Sequence, residues 1–110
     1  MTSAFRIYTP TRDGTNETRD VVGHRFRVTV DSTQFWFGVH EAHDTIGLYR
    51  ITDLRSGRKV LDIPHAVLAA NRGRLPAAAK AAWKKFMSGR NEKSVRAVIE
   101  AAPSLEEATA

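Results

Sequence analysis

Cysteine is absent from this chain of 110 residues, which removes disulfide frameworks, thiolate zinc sites, iron–sulfur clusters and thiol nucleophiles together. Long apolar runs are missing too: nothing approaches the roughly 20 residues that span a bilayer. The opening Met1-Thr2-Ser3-Ala4-Phe5-Arg6 lacks the basic-then-apolar plan of a secretory leader. These absences point to a soluble, cytoplasmic protein with no membrane partner. The glycines Gly14, Gly23, Gly38, Gly47, Gly57, Gly73 and Gly89 stand singly, so no phosphate-cradling loop or dinucleotide turn is formed. There is no internal repeat and no low-complexity tract.

Negative charge is scarce in one place. From Met1 to Ile63 nine Lys and Arg face eight Asp and Glu, so the first part of the chain is nearly balanced. Between Arg72 and Arg96 the cations Arg72, Arg74, Lys80, Lys84, Lys85, Arg90, Lys93 and Arg96 are opposed by Glu92 alone. The sign then reverses through Glu100, Glu106 and Glu107. The formal net charge of +5 and the pI near 10.1 therefore come from one segment. Clustered like charge repels itself, so it needs either solvent screening or an anionic partner.

With 42% hydrophobic residues the chain has the composition of one compact domain, long enough to fold around a single core without a metal or covalent staple. Residues 1–103 are expected to form that domain, with 104–110 a frayed tail. Ala4–Tyr8 alternates as a short strand, and Thr9–Asp20 reads as a polar loop. Arg25–Val30 alternates cleanly, with Phe26, Val28 and Val30 on one side. Gln34–Glu41 follows with Phe35, Phe37 and Val39 facing alike. Pairing Val30 with Phe35, Val28 with Phe37 and Phe26 with Val39 keeps cations out of the core, whereas a one-residue slip buries Arg27. The reverse face then carries Arg25, Arg27, Trp36 and His40, where a helix is expected to cover Trp36.

Ile46–Leu54 and Arg58–Ile63 form a second hairpin across Arg55-Ser56-Gly57, with the glycine at the left-handed position of a bulged turn. Counting outward pairs Asp53 with Lys59, Thr52 with Val60, Ile51 with Leu61, Arg50 with Asp62 and Tyr49 with Ile63. Helical patterning begins after Ile63. Pro64 leads His65–Asn71, and Gly73 stops it. Pro76 opens 77–87, where Ala79, Ala82, Trp83, Phe86 and Met87 make an apolar arc and Lys80, Lys84 and Lys85 the remainder. Asn91 caps 92–102, with Val95, Val98, Ile99 and Ala102 as its buried arc and Glu92–Arg96 as an i,i+4 pair. The expected architecture is α+β: an antiparallel sheet of four to five strands covered on one face by two or three C-terminal helices.

Two helices joined by Ser88-Gly89-Arg90 match the plan of a helix-turn-helix reader, although the same turn closes any ordinary helix pair. The basic arc of 77–87 also suits an anionic membrane, but the sheet needs the opposite arc as a lid, and packing is the expected use. His40-Glu41-Ala42-His43-Asp44 gathers metal-ligand types, yet two histidines at i and i+3 on an extended chain point apart. No metal or cofactor is expected. No spacing selects an acid–base pair among His24, His40 and His65, nor a nucleophilic serine, so the chain is read as non-enzymatic; the fallback is a metal-free nuclease.

The leading expectation is a nucleic-acid-binding or nucleoprotein-associated accessory protein, for DNA or RNA. Its footprint is Arg72, Arg74, Lys80, Lys84, Lys85, Arg90, Lys93 and Arg96, with Arg25, Arg27 and Trp36 as a secondary surface. The competing expectation is a small inhibitor or adaptor, phage or mobile-element encoded, that binds and blocks a host nucleic-acid-handling defence complex.

Overall fold

A computed structural model describes residues 2–10 and 16–105. Five strands, β1 (Ser3–Pro10), β2 (Asn16–Val30), β3 (Thr33–Glu41), β4 (Tyr49–Asp53) and β5 (Lys59–Ile63), precede α1 (His65–Ala70), α2 (Leu75–Met87) and α3 (Glu92–Ala101). The strands form one antiparallel meander in the order β1-β2-β3-β4-β5. The class is α+β, and the helices pack on the sheet as the patterning predicts. Among the described residues no helix is long and apolar enough to cross a membrane.

The core lies between the helices and one sheet face. Phe26, Val28, Val30, Phe35, Phe37, Val39, Ile51 and Ile63 meet Ala78, Ala79, Ala82 and Trp83 of α2 and Ile99 of α3. Small alanines let α2 approach closely, and Trp83 fills the gap edge-on to Phe37 with ring centroids 5.0 Å apart. The apolar arc of α2 is thus spent on the sheet.

The β2–β3 register differs from expectation by two residues. Phe26 faces Phe37, Val28 faces Phe35 and Val30 faces Thr33. The turn is only Asp31-Ser32, with φ of 49° and 61°, the two left-handed residues of a twist-matched hairpin turn. An even shift leaves every side chain on its expected face.

The polar stretch expected to be a loop is mostly strand. Thr9 and Pro10 pair with Glu17 and Asn16, Ile7 pairs with Arg19, and Arg6 pairs with Asp20, whose side chains form an ion pair at 3.4 Å. Residues 11–15 of that reading lie outside the described ones. Pairing with β1 overrides the low strand propensity of these residues.

This ribbon folds over the reverse face of the sheet. A Cβ at Gly38 would stand 2.5 Å from the Phe5 ring, and one at Gly23 would stand 2.1 Å from the Val39 carbonyl oxygen. Both positions therefore require glycine for the close approach of β1 and β2. The Tyr8 amide reaches the Gly57 carbonyl at 2.7 Å, nearly closing the sheet. A strand, not a helix, covers this face. It buries His40 and leaves Trp36 beyond its edge at 53% exposure, so the expected helix cover of Trp36 is corrected.

In the second hairpin Tyr49–Ile63, Arg50–Asp62 and Ile51–Leu61 pair as expected, but a bulge then sets Thr52 opposite Lys59. Asp53 is drawn away from Lys59 into the turn, where it accepts from the Ser56 hydroxyl at 2.8 Å and the Ser56 amide at 3.3 Å. Ile46, expected to begin β4, is instead 96% exposed in the turn that precedes the strand. The Asn91 side chain caps α3 by accepting from the Ser94 amide at 3.1 Å. The Leu105 amide donates to the Arg55 carbonyl at 2.9 Å, and residues 106–110 of the expected tail lie outside the described ones.

Candidate functional site

The basic segment begins at the turn between α1 and α2. The Asn71 side chain donates to the Val67 carbonyl at 2.8 Å, and the Gly73 amide folds back to the Leu68 carbonyl at 2.9 Å. These bonds satisfy the end of α1 and hold Arg72 at a φ of 55°. Arg72 and Arg74 are both exposed.

On α2, Lys80 and Lys84 are four residues apart and share the solvent face, while Lys85 lies at its flank beside Ala78 and Ala81. All three are exposed. Lys84 and Lys85 occupy the last turn, where cations also complement the helix dipole. Arg90 is held at the end of the same helix: its Nε donates to the Phe86 carbonyl at 2.7 Å and its guanidinium lies 4.1 Å over the Phe86 ring. Lys93 projects from the first turn of α3 and is exposed.

Arg96 leaves this set. Its Nε bonds Glu100 Oε1 at 2.5 Å and its Nη1 lies 3.4 Å from Asp31 Oδ2. The expected Glu92–Arg96 pair is replaced, because Glu92 accepts from the Asp31 amide at 2.9 Å instead. Both residues of α3 therefore bind the β2–β3 turn. Helix α3 rests on β2.

Every carboxylate among the described residues is engaged from within the chain. Glu17, Asp20, Asp31, Asp44, Asp62 and Glu100 form ion pairs, while Glu41, Asp53 and Glu92 accept hydrogen bonds. By contrast Arg72, Arg74, Lys80, Lys84, Lys85 and Lys93 form no ion pair with any described residue. Among the described residues no carboxylate compensates these cations of the helical layer.

The secondary surface lies on the other side of the sheet. Arg27 sits directly across from Trp36, its guanidinium 5.5 Å over the indole. Arg25 is tied to Ser3 Oγ and the Ala4 carbonyl, each at 3.0 Å. His40, placed with this group by alternation, is 1% exposed. Its Nδ1 meets the Glu41 carbonyl at 2.8 Å and its Nε2 the Thr52 hydroxyl at 2.7 Å. A carbonyl can only accept, so Nδ1 carries the proton and Nε2 accepts from Thr52. Burial pushes the imidazole below its ordinary value of 6.5, outweighing the bond to Glu41. Asp62 is partly buried, which raises a carboxyl, but hydrogen bonds from Arg50 and Lys59 prevail and hold it below the usual 3.8.

Among the described residues no group of three or more His, Asp or Glu stands ready to hold a metal ion. A feature the sequence pattern did not disclose is a groove of about 590 Å³ between α3 and the β4–β5 hairpin. Val98, expected in the buried arc of α3, lines it at 74% exposure. No protein-family model, curated protein or solved structure matches the chain.

Proposed function

We propose that this is a non-enzymatic accessory protein that binds the phosphate backbone of a nucleic acid through Arg72, Arg74, Lys80, Lys84, Lys85 and Lys93, with Arg90 at the margin. One observation carries the reading: the described carboxylates are all engaged internally, while these exposed lysines and arginines have no ion-pair partner among the described residues. Such a layer recruits external anions, and a polyanion releases condensed counterions when it docks. Contacts of this kind position a protein without reading sequence. Arg96 is left out of the footprint because Asp31 and Glu100 neutralise it.

The test is fluorescence anisotropy with labelled duplex DNA, single-stranded DNA and RNA over a range of salt. Four to six phosphate contacts predict a slope of log K on log salt of about −0.9 per contact on duplex DNA. The Lys80→Gln/Lys84→Gln/Lys85→Gln variant should flatten that slope and weaken binding. Affinity that is indifferent to salt, or that survives the triple change, overturns the proposal. Full activity of the triple variant against a purified protein partner free of nucleic acid would favour the inhibitor or adaptor reading.

A further inference from the structure

The groove between α3 and the β4–β5 hairpin asks for a different ligand from the lysine face. Val60, Phe86, Val95, Val98 and Ile99 make it mainly apolar, a floor that gives a phosphate chain no contact. Its volume of about 590 Å³ falls within the roughly 300–1,000 Å³ of sites that engulf small ligands or a few side chains. Cations outnumber carboxylates in the lining, Arg58, Lys59 and Arg90 against Asp53 alone. Arg90 stands at the end nearest α2, fixed on the ring and carbonyl of Phe86. Arg58 lines the hairpin end, with its guanidinium 4.5 Å over the ring of Tyr8, which lies outside the lining. Neither has a carboxylate partner among the described residues. The one lining carboxylate, Asp53, is 3% exposed and turned to Ser56, and against three lining cations it leaves the lining net positive.

We infer that this groove docks an acidic segment of a partner protein, which seats one or two large apolar side chains on Val98 and its neighbours between Arg58 and Arg90. The charge complementarity selects an acidic peptide over a neutral or basic one, and the apolar floor selects a peptide over a nucleic acid. Both arginines are already braced on aromatic rings, so ordering them on binding costs little. The site is separate from the lysine face except at Arg90, and its occupation does not depend on nucleic-acid binding.

The experiment pans a phage-displayed library of random 12-residue peptides on the full chain, followed by affinity measurement with the enriched peptides made synthetically. Enriched sequences should carry several Asp or Glu around a Trp, Phe or Leu. Val98→Asp should weaken them by about tenfold or more, as expected for an anchor residue, and Arg58→Glu should do so independently of any effect of the first variant on folding. Duplex DNA affinity of Val98→Asp should stay within about twofold, since no phosphate contact is removed. Loss of DNA binding in wild type with peptide binding intact would sink the nucleic-acid reading alone. Enrichment of neutral or basic peptides, or peptide binding unaffected by both variants, overturns the inference. So does self-association of the chain, measured by sedimentation, that Val98→Asp abolishes, because the groove would then be filled by a second copy.

Discussion

Arg96 reaches back 65 residues to Asp31, meeting its carboxylate at 3.4 Å and its carbonyl at 3.3 Å. Glu92, one turn earlier, accepts the amide of the same aspartate. Together they latch α3 to the β2–β3 turn, which places Arg96 in the structural part of the molecule. Arg96→Gln is therefore expected to lower the melting temperature while leaving the salt dependence of nucleic-acid binding unchanged. Lys84→Gln should do the reverse, lowering the slope by about 0.9 with the melting temperature preserved. Thermal denaturation and anisotropy on the same two variants check the contrast.

That latch also shows what could be read before the fold was in view. Glu92 and Arg96 stand four apart, and nothing local signals that both turn to a residue in another hairpin. The β2–β3 register escaped for a different reason: alternation has a period of two, so a shift of two residues preserves every face, and Asp31-Ser32 carries no glycine to mark the tight turn. Where local chemistry was explicit the reading was good. Gly57 marked the second hairpin and three of its pairs, Asn91 marked the start of α3, and the helical period of α2 marked Ala79, Ala82 and Trp83 as buried. The closure of β1 over Gly38 was invisible, because Phe5 and Ile7 alternate as in any strand. Of the candidate surface, the run of cations was plain from charge alone. Its separation from Arg96, and the uncovered groove beside Val98, depend on how α3 is set against the sheet.

Gly38 and Phe5 are coupled by that closure. With a Cβ at position 38 only 2.5 Å from the buried Phe5 ring, Gly38→Ala must displace β1, at a cost of about 1–3 kcal/mol from overpacking. For a domain of this size each kcal/mol lowers the melting temperature by about 4–8 °C. Adding Phe5→Leu makes room, so the double variant should be less destabilised than the sum of the two singles. Additive losses in chemical denaturation would show that the contact does not govern the closure.

Acid should weaken the fold in two windows. The folded imidazole of His40 is depressed below 6.5 chiefly by burial, so the unfolded chain binds a proton that the native one refuses. Its contribution is complete above pH 6.5 and declines as pH falls below that value toward the folded pKa. Asp62 is also depressed, from 3.8, and its contribution is present above pH 3.8 and lost as pH drops through the lower folded value. Urea midpoints measured from pH 7.5 to 3 should fall first near pH 6 and again below 4. His40→Asn should remove the first decline and Asp62→Asn the second.

Arg72 combines strain with exposure. Its φ of 55° belongs to the left-handed region, which is unfavourable for a side chain with an ordinary Cβ but routine for asparagine. Arg72→Asn keeps the turn set by Asn71 and Gly73 and relieves part of that strain, so it should raise stability by up to about 1 kcal/mol. A residue retained there for packing or turn geometry would show no accompanying loss. One retained for its charge should weaken polyanion binding and lower the salt slope by about 0.9. The two effects are read on one protein, by denaturation and by anisotropy, and they run in opposite directions only if the guanidinium is kept at that turn for contact with an external anion. Loss of stability without loss of affinity would place Arg72 with Arg96, among the residues that hold the helices rather than the ligand.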